Sequence, residues 1–442
     1  MKTVSASVRW VLAGRGATAA TLQTLLTKIL ILAANTCTGA ITARILGPDG
    51  RGEQAAIALW PQFLAFTMTL GLPIALRYYL KRNPEQESEI FSATLVLGTI
   101  LGIVAAIAGI LFIPQWLTQY SPEVIRYAQW FMVLSPIIML TTIYTAALEA
   151  DYNFKTANQA QYLQPLTTLV ILTGLAVSAN LTPFTAVIAY AFPSLPIFFW
   201  LSRYVWQRFR PRLSGLRKSY QRLVSYGLRA YGIDLIGTLS VQVDQALVIN
   251  LLAPEAMGKY VISLSLSRML NLFQHSIVTV LLPKTAARPI AEVVAVTGMA
   301  VRISTALTTM AAAILFIVGP MLLNLLYGAE FMGAVPVFRI LVVMTVVDGS
   351  VWILAQAFMA LGRPGTVTLL QTIGLGLSIP FLLLLVPRLG LQGAGWALLC
   401  STVVRLVFVL ACYPLVLKVR PPSLLAKRSD FYILKQKMLH RT

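Results

Sequence analysis

Residues 229–275 read RAYGIDLIGTLSVQVDQALVINLLAPEAMGKYVISLSLSRMLNLFQH. Two apolar runs flank the turn Ala253-Pro254-Glu255-Ala256-Met257-Gly258, and each is long enough to cross a bilayer as a helix. Each run also carries groups that hydrocarbon rejects. The first holds Arg229, Asp234, Gln242 and Asp244; the second holds Arg268, Asn271, Gln274 and His275. A charge at the bilayer centre costs about 3 kcal/mol or more, so such groups face a partner or a wet cavity. One hairpin therefore combines membrane insertion with a polar interior.

The rest of the chain repeats the first half of that message. Its 442 residues are 57% hydrophobic and only 11% charged, too few charges for a soluble globule of this size. The mean hydropathy is +0.77. Spans are expected at 18–45, 53–77, 90–112, 123–147, 154–178, 183–203, 223–251, 258–282, 291–318, 335–359, 365–386 and 391–417. Hydrocarbon leaves backbone N–H and C=O groups no partner outside their own segment, so these runs are helices. The fold class is an all-α polytopic membrane protein with about 12 transmembrane helices in two six-helix lobes around a central cavity.

Basic residues crowd the connection between the sixth and seventh spans: Arg203, Arg208, Arg210, Arg212, Arg217, Lys218 and Arg222. That connection divides the chain into 1–17 (a cytoplasmic N-terminal segment), 18–204 (N-lobe), 205–222 (basic linker), 223–417 (C-lobe) and 418–442 (basic tail). Leu46-Gly-Pro-Asp-Gly-Arg-Gly52 is echoed by Leu252-Ala-Pro-Glu-Ala-Met-Gly258, as expected of an internal repeat. Six spans per half make the repeats parallel, and transporters bind cargo between such halves.

The net charge of +20 suggests nucleic acid only until its placement is considered. Lysine and arginine concentrate in alternate loops and at both ends, which is the positive-inside pattern. Both termini are expected in the cytoplasm, with anionic membrane lipids as partners and no nucleic acid. The tail interleaves Phe431, Tyr432, Ile433 and Leu434 with its charges; it reads either as a basic amphipathic segment on the inner leaflet or as a solvated one. Cys37, Cys400 and Cys412 sit in apolar runs without metal or redox spacing. No cleavable signal peptide is expected, because the first apolar run is too long.

Polar stripes mark the candidate site. Thr21, Thr24, Lys28, Asn35, Thr38 and Thr42 share one face of the first span. Threonines of this kind glue helices together, but a mid-span lysine points to a cavity. Arg268, Asn271 and His275 share a face of the eighth span; Asp234 and Asp244 lie on nearly one side of the seventh. Asp244 and Arg268 flank the turn at similar depth. Two readings follow: a static pair, or a switch in which Arg268 takes an anionic group and the acid takes H+ or Na+. Asp348, Trp352 and Gln356 share a face of the tenth span; Arg302, Arg339 and Arg405 pair or snorkel. Pro61, Pro193, Pro196 and Pro380 are expected kinks. No catalytic motif, metal cluster or cofactor signature appears, and the short outer loops argue against an enzyme.

Four local patterns, in order, carry a resemblance: Ala43-Arg-Ile-Leu-Gly-Pro-Asp-Gly-Arg-Gly52; Val243-Asp-Gln with Leu252-Ala-Pro-Glu-Ala-Met-Gly-Lys-Tyr260; Ala360-Leu-Gly-Arg-Pro364; and Leu389-Gly-Leu-Gln-Gly-Ala-Gly-Trp-Ala397. Over most of residues 18–417 the chain resembles the polysaccharide or oligosaccharide flippases (Wzx-like) of the multidrug/oligosaccharidyl-lipid/polysaccharide (MOP) exporter superfamily. The resemblance implies a cationic cavity lined by the first, second, seventh and eighth helices. It also implies a polyprenyl-diphosphate-linked oligosaccharide as cargo, moved from the inner to the outer leaflet of the bacterial inner membrane by alternating access. Lys28, Asn35, Arg268, Asn271 and His275 are then the expected substrate contacts, with Asp234, Asp244 and Asp348 as ion-coupling or charge-pair residues. A polysaccharide polymerase and a chain-length regulator are the implied partners. The alternatives are a cation-coupled multidrug exporter of the same superfamily, and a membrane glycan polymerase or acyltransferase.

Overall fold

The structure, a computed structural model, describes residues 17–212, 216–274 and 288–424. Among them every regular element is helical. The chain forms two compact units, Met1–Leu235 and Ile236–Thr442.

The first unit holds α1 (Ala17–Thr67), α2 (Leu72–Arg82), α3 (Glu87–Trp116), α4 (Pro122–Phe131), α5 (Ser135–Ala150), α6 (Phe154–Val177), α7 (Pro183–Ala191), α8 (Ser194–Phe209) and the start of α9 (Leu216–Leu251). The second holds the rest of α9, then α10 (Pro254–Ser267), α11 (Ile290–Tyr327), α12 (Val335–Ala360) and α13 (Pro364–Cys412). The boundary falls inside α9, beyond the lobe start expected at residue 223. Leu223 explains this, being fully buried in the first unit's core. Tyr226 adds to it by stacking on Tyr78 at 4.4 Å and 12°.

Helices α1 and α13 run for 51 and 49 residues. As single straight rods they would be about 75 Å long, more than twice the thickness of hydrocarbon. Each is instead kinked at a glycine with positive φ: Gly47 (φ 66°, ψ −176°) and Gly390 (φ 56°, ψ −133°). Residues with a Cβ adopt that conformation reluctantly. After Gly390 the chain doubles back so closely that a methyl on Gly393 would lie 2.1 Å from the Leu385 carbonyl oxygen. Among the described residues eight stretches are long and apolar enough to cross a membrane. Dividing the two longest at their glycines and adding α9 and α10 accounts for the twelve expected spans. Polar residues keep α9 out of the eight.

Three expected spans are interrupted. The second, read as 53–77, stops at Thr67 and resumes at Leu72, because Pro73 removes a donor and crowds the carbonyl one turn back. The fourth tightens into a 3₁₀ turn at Met132–Leu134, just before Pro136. The sixth breaks between α7 and α8 at Phe192–Pro193 and then runs on to Phe209. Pro61 and Pro380, expected as kinks, lie within stretches that keep helical dihedrals.

Among the described residues two clusters build the first unit's core. The larger joins α2, α3, α5, α8 and the start of α9 through Leu76, Phe91, Ile143, Tyr144, Leu201 and Leu223. A smaller one packs Leu172, Leu181, Ala186 and Ala189 against Ile41 and Leu46 of α1. In the second unit Val301, Leu354, Phe358, Leu370, Val409 and Tyr413 knit α11, α12 and α13. Tyr413 also donates its hydroxyl to the Leu354 carbonyl at 3.0 Å.

Candidate functional site

Polar residues of the second unit meet where α9, α10, α12 and α13 approach each other. Asp244 on α9 is half-buried, with the Ser378 hydroxyl of α13 in hydrogen-bonding reach. That hydroxyl also reaches the Leu375 carbonyl at 3.1 Å, so one proton serves two acceptors. Arg268, Arg405 and Asp348 all act on Asp244 electrostatically. The Tyr260 side chain, wholly buried on α10, shares the field of Asp244 and Arg268, and its hydroxyl has no partner among the described residues.

Arg405 of α13 forms an ion pair and hydrogen bond with Asp348 of α12. Its path is cleared by Gly374, where a methyl would sit 2.9 Å from the Arg405 Cδ. A second glycine works in the same way. The Gln274 amide lies in the notch at Gly349, where a methyl would come within 2.0 Å of its Nε2, and it donates to the Thr345 carbonyl at 3.0 Å. Glycine makes room here for polar side chains that lipid would not accept.

Asp244 and Arg268 are neighbours in this field, but among the described residues no contact ion pair joins them. Arg268 begins the 3₁₀ turn that ends α10 and is half-buried. Equal depth permits contact but does not impose it, because contact also depends on rotation about each helix axis. Asn271 lies one turn on, its Oδ1 buried without a partner among the described residues; Gln242 Oε1 is in the same state. Gln242 and Asp244 are two residues apart and so point in different directions. His275 lies outside the described residues, and so does the side chain of Asp234.

In the first unit Lys28 and Asn35 are exposed on α1. The stripe they belong to splits. Thr38 and Thr42 are buried, and their hydroxyls donate to carbonyls of their own helix at 3.1 and 2.8 Å. These two threonines are packing residues. The side chains of Thr21 and Thr24 are outside the described set. A separate cluster ties the basic connection down: Arg208 bonds Glu87 at 3.1 Å and Asp151 at 2.8 Å, and Arg77 bonds Glu149 at 2.8 Å. The Arg212 amide donates to Ser92 Oγ at 2.7 Å.

Sequence reasoning had not connected Ser378 or the two glycines with Asp244 and Asp348. The available signal was Arg405, the one cation of the last two spans placed well inside an apolar run. A buried cation of that kind requires an acid nearby.

The profile of a family described as polysaccharide biosynthesis protein matches residues 41–336. Among curated proteins none matches the chain. Solved structures share its fold at low identity. An inward-facing multidrug resistance MATE transporter of the MOP superfamily aligns with TM-score 0.70 and 14% identity, over 87% of this chain and 92% of that one. The lipid II flippase MurJ, in its inward closed conformation, aligns with TM-score 0.76 and 14% identity, over 91% and 88%. A MOP superfamily transporter from Pyrococcus furiosus, noted for a reverse polarity of its binding pocket, gives 0.62 and 15%, over 90% and 95%. The chain is therefore a multi-pass membrane protein with the fold of MOP superfamily transporters, and it belongs to the polysaccharide biosynthesis protein family.

Proposed function

We propose that this protein flips a polyprenyl-diphosphate-linked oligosaccharide from the inner to the outer leaflet of a bacterial inner membrane. It does so by alternating access, coupled to H+ or Na+, with both termini in the cytoplasm. One observation carries this reading. Among the described residues Arg268 has no contact ion pair, whereas Arg405 is taken up by Asp348. A guanidinium in that condition suits a diphosphate, which it holds through paired charge-assisted hydrogen bonds.

Lys28 supplies a second cation, and Asn35, Asn271 and His275 offer hydrogen bonds to phosphate or sugar. Asp244 is the first choice for ion coupling, since among the described residues only a hydroxyl holds it directly; Asp348 is a structural pair first. Asp234 is the remaining acid of this group. A polysaccharide polymerase and a chain-length regulator would act on the exported units, and anionic lipids would meet the basic loops.

Reconstitution with a labelled polyprenyl-diphosphate oligosaccharide tests the reading. The double variant Lys28→Ala, Arg268→Ala loses translocation at wild-type expression; normal translocation by it would reject those roles. A cation-coupled drug exporter is the second reading, favoured by two acids, Asp244 and Asp348, within the membrane part of one unit. It requires dye efflux that collapses with the cation gradient and no movement of the lipid-linked sugar.

A further inference from the structure

Two of the interrupted spans border one groove in the first unit. The 3₁₀ turn at Met132–Leu134 follows α4, and the break at Phe192–Pro193 separates α7 from α8. Between them lies a groove of about 270 Å³, walled by Trp130, Phe131 and Leu134 on one side and by Phe184, Ile188 and Leu195 on the other. Its lips face away from the protein: Val133 is 65% exposed and Phe192 55%.

The helices set its depth. Pro122 and Pro183 begin these two spans at the end away from the basic connection, which follows α8. From Phe184 to Leu195 the groove runs about 16 Å, half the thickness of the hydrocarbon. Its mouth carries an aromatic collar. Phe184 stacks on Tyr127 at 4.2 Å and 30°, and Tyr127 meets Trp130 at 5.7 Å. Tyrosine and tryptophan favour the boundary between headgroups and hydrocarbon. The groove therefore spans a single leaflet.

Water is a poor occupant. Every lining side chain is apolar apart from the Trp130 indole nitrogen. The backbone at the break already has partners. The Ser194 hydroxyl donates to the Ala191 carbonyl at 2.5 Å, the Phe192 N–H to the Ile188 carbonyl at 2.7 Å, and the Leu195 N–H to the Phe192 carbonyl at 3.1 Å. A trapped water needs about two to four polar groups of its own. Hydrocarbon needs none.

Arg126 decides which hydrocarbon. It lies one turn before Trp130 and two before Val133, on the face of α4 that borders the groove. It is exposed, and among the described residues it has no ion pair or hydrogen bond. Helical side chains lean toward the N-terminus, so its guanidinium rises to headgroup level. Glu123, one turn before it, accepts a hydrogen bond from the Tyr127 hydroxyl at 2.6 Å. A cation above an apolar slot one leaflet deep matches a lipid phosphate above its acyl chain. A polyprenyl chain is methyl-branched and longer than a leaflet is deep.

We propose that this groove is a binding site for a bilayer phospholipid, with one acyl chain between α4 and the α7–α8 break and the phosphate on Arg126.

Photolabelling of the full chain in vesicles tests the site without a transport measurement. The probe is phosphatidylethanolamine with a diazirine near the end of one acyl chain, at trace level in phosphatidylethanolamine and phosphatidylglycerol. Labelling should concentrate at residues 133–134 and 191–195, well above that of Ile107, a lipid-facing residue of α3 that is 53% exposed. Arg126→Gln should cut the excess about tenfold, as expected for one lost charge-assisted hydrogen bond, and Arg126→Lys should keep most of it. Ala191→Phe, which fills the slot, should abolish the excess; Val133→Trp fills it from the other wall should that variant fold poorly. Labelling in the groove no stronger than at Ile107 overturns the site, and an excess untouched by Arg126→Gln overturns the phosphate contact. Displacement of the probe by unlabelled polyprenyl diphosphate would give the groove to an isoprenoid tail. Loss of labelling on dimerisation would give it to a second copy of this chain. Either result overturns the phospholipid.

Discussion

Arg405, on the second half of α13, reaches Asp348 on α12 by laying its side chain across Gly374. Breaking a buried pair from one side strands the other charge, at a cost of about 3–5 kcal/mol when burial is complete. The Asp348 side chain is 37% exposed, so a smaller loss is expected. Asp348→Leu and Arg405→Met should each lower the thermal midpoint in detergent, by a loss of about 2 kcal/mol. The double variant should recover most of it. A double variant no more stable than the worse single one would show that the pair is not what these residues contribute.

The Gln274–Gly349 contact makes a steric prediction. Gly349→Ala places a methyl where the Gln274 amide now lies, 2.0 Å from Nε2. Overpacking of this kind costs about 1–3 kcal/mol. Gln274→Ala alone should cost less, because the Thr345 carbonyl keeps its place in the helical ladder. Combining the two should be better than Gly349→Ala alone. Thermal unfolding of the three variants reads this directly, and additive losses would disprove the contact.

Much of the fold was legible because lipid enforces one rule on every span: apolar, helical and about 20 residues long. The α9–α10 hairpin stood out for breaking that rule, and of its polar residues Asp244, Tyr260 and Arg268 share one electrostatic field. Depth is readable from residue counts, and Arg268 does act on Asp244 electrostatically. Azimuth is not readable in the same way. Asp244 therefore turned out to have Ser378 in reach, a residue some 130 positions away, and Asp348 turned out to hold Arg405. The break at Thr67–Gly71 escaped notice because no charged residue lies between Glu53 and Arg77; Gly71-Leu72-Pro73 was the local signal. Thr38 and Thr42 looked the same as Asn35 on a helical wheel, and only packing separates the buried threonines from the exposed asparagine.

Arg208 and Phe209 are adjacent and should behave oppositely. Arg208 links Glu87 and Asp151 but stays 43% exposed, and exposed pairs contribute about 0.2–1 kcal/mol each. Phe209 is 4% exposed and stacks on Phe91 at 5.1 Å. Phe209→Ala should cost about 3–5 kcal/mol and be indifferent to salt. Arg208→Ala should cost less than 2 kcal/mol, and the difference from wild type should shrink as ionic strength rises. Denaturation at low and high salt separates the two. A salt-independent loss in Arg208→Ala would mean that its stem, not its charge, does the holding.

Arg268 allows charge to be separated from geometry. Lysine keeps the positive charge but offers a point donor in place of a planar fork. If Arg268 grips a diphosphate through paired hydrogen bonds, Arg268→Lys should retain translocation at a rate reduced about tenfold, corresponding to one lost strong hydrogen bond, and Arg268→Gln should abolish it. Stability should barely move in either variant, because among the described residues Arg268 makes no contact ion pair. Translocation in proteoliposomes and the thermal midpoint are measured on the same preparations. Wild-type transport by Arg268→Gln removes this residue from the cargo site. A large fall in the midpoint for both variants would instead make Arg268 a structural partner of Asp244, acting across the distance that now separates them.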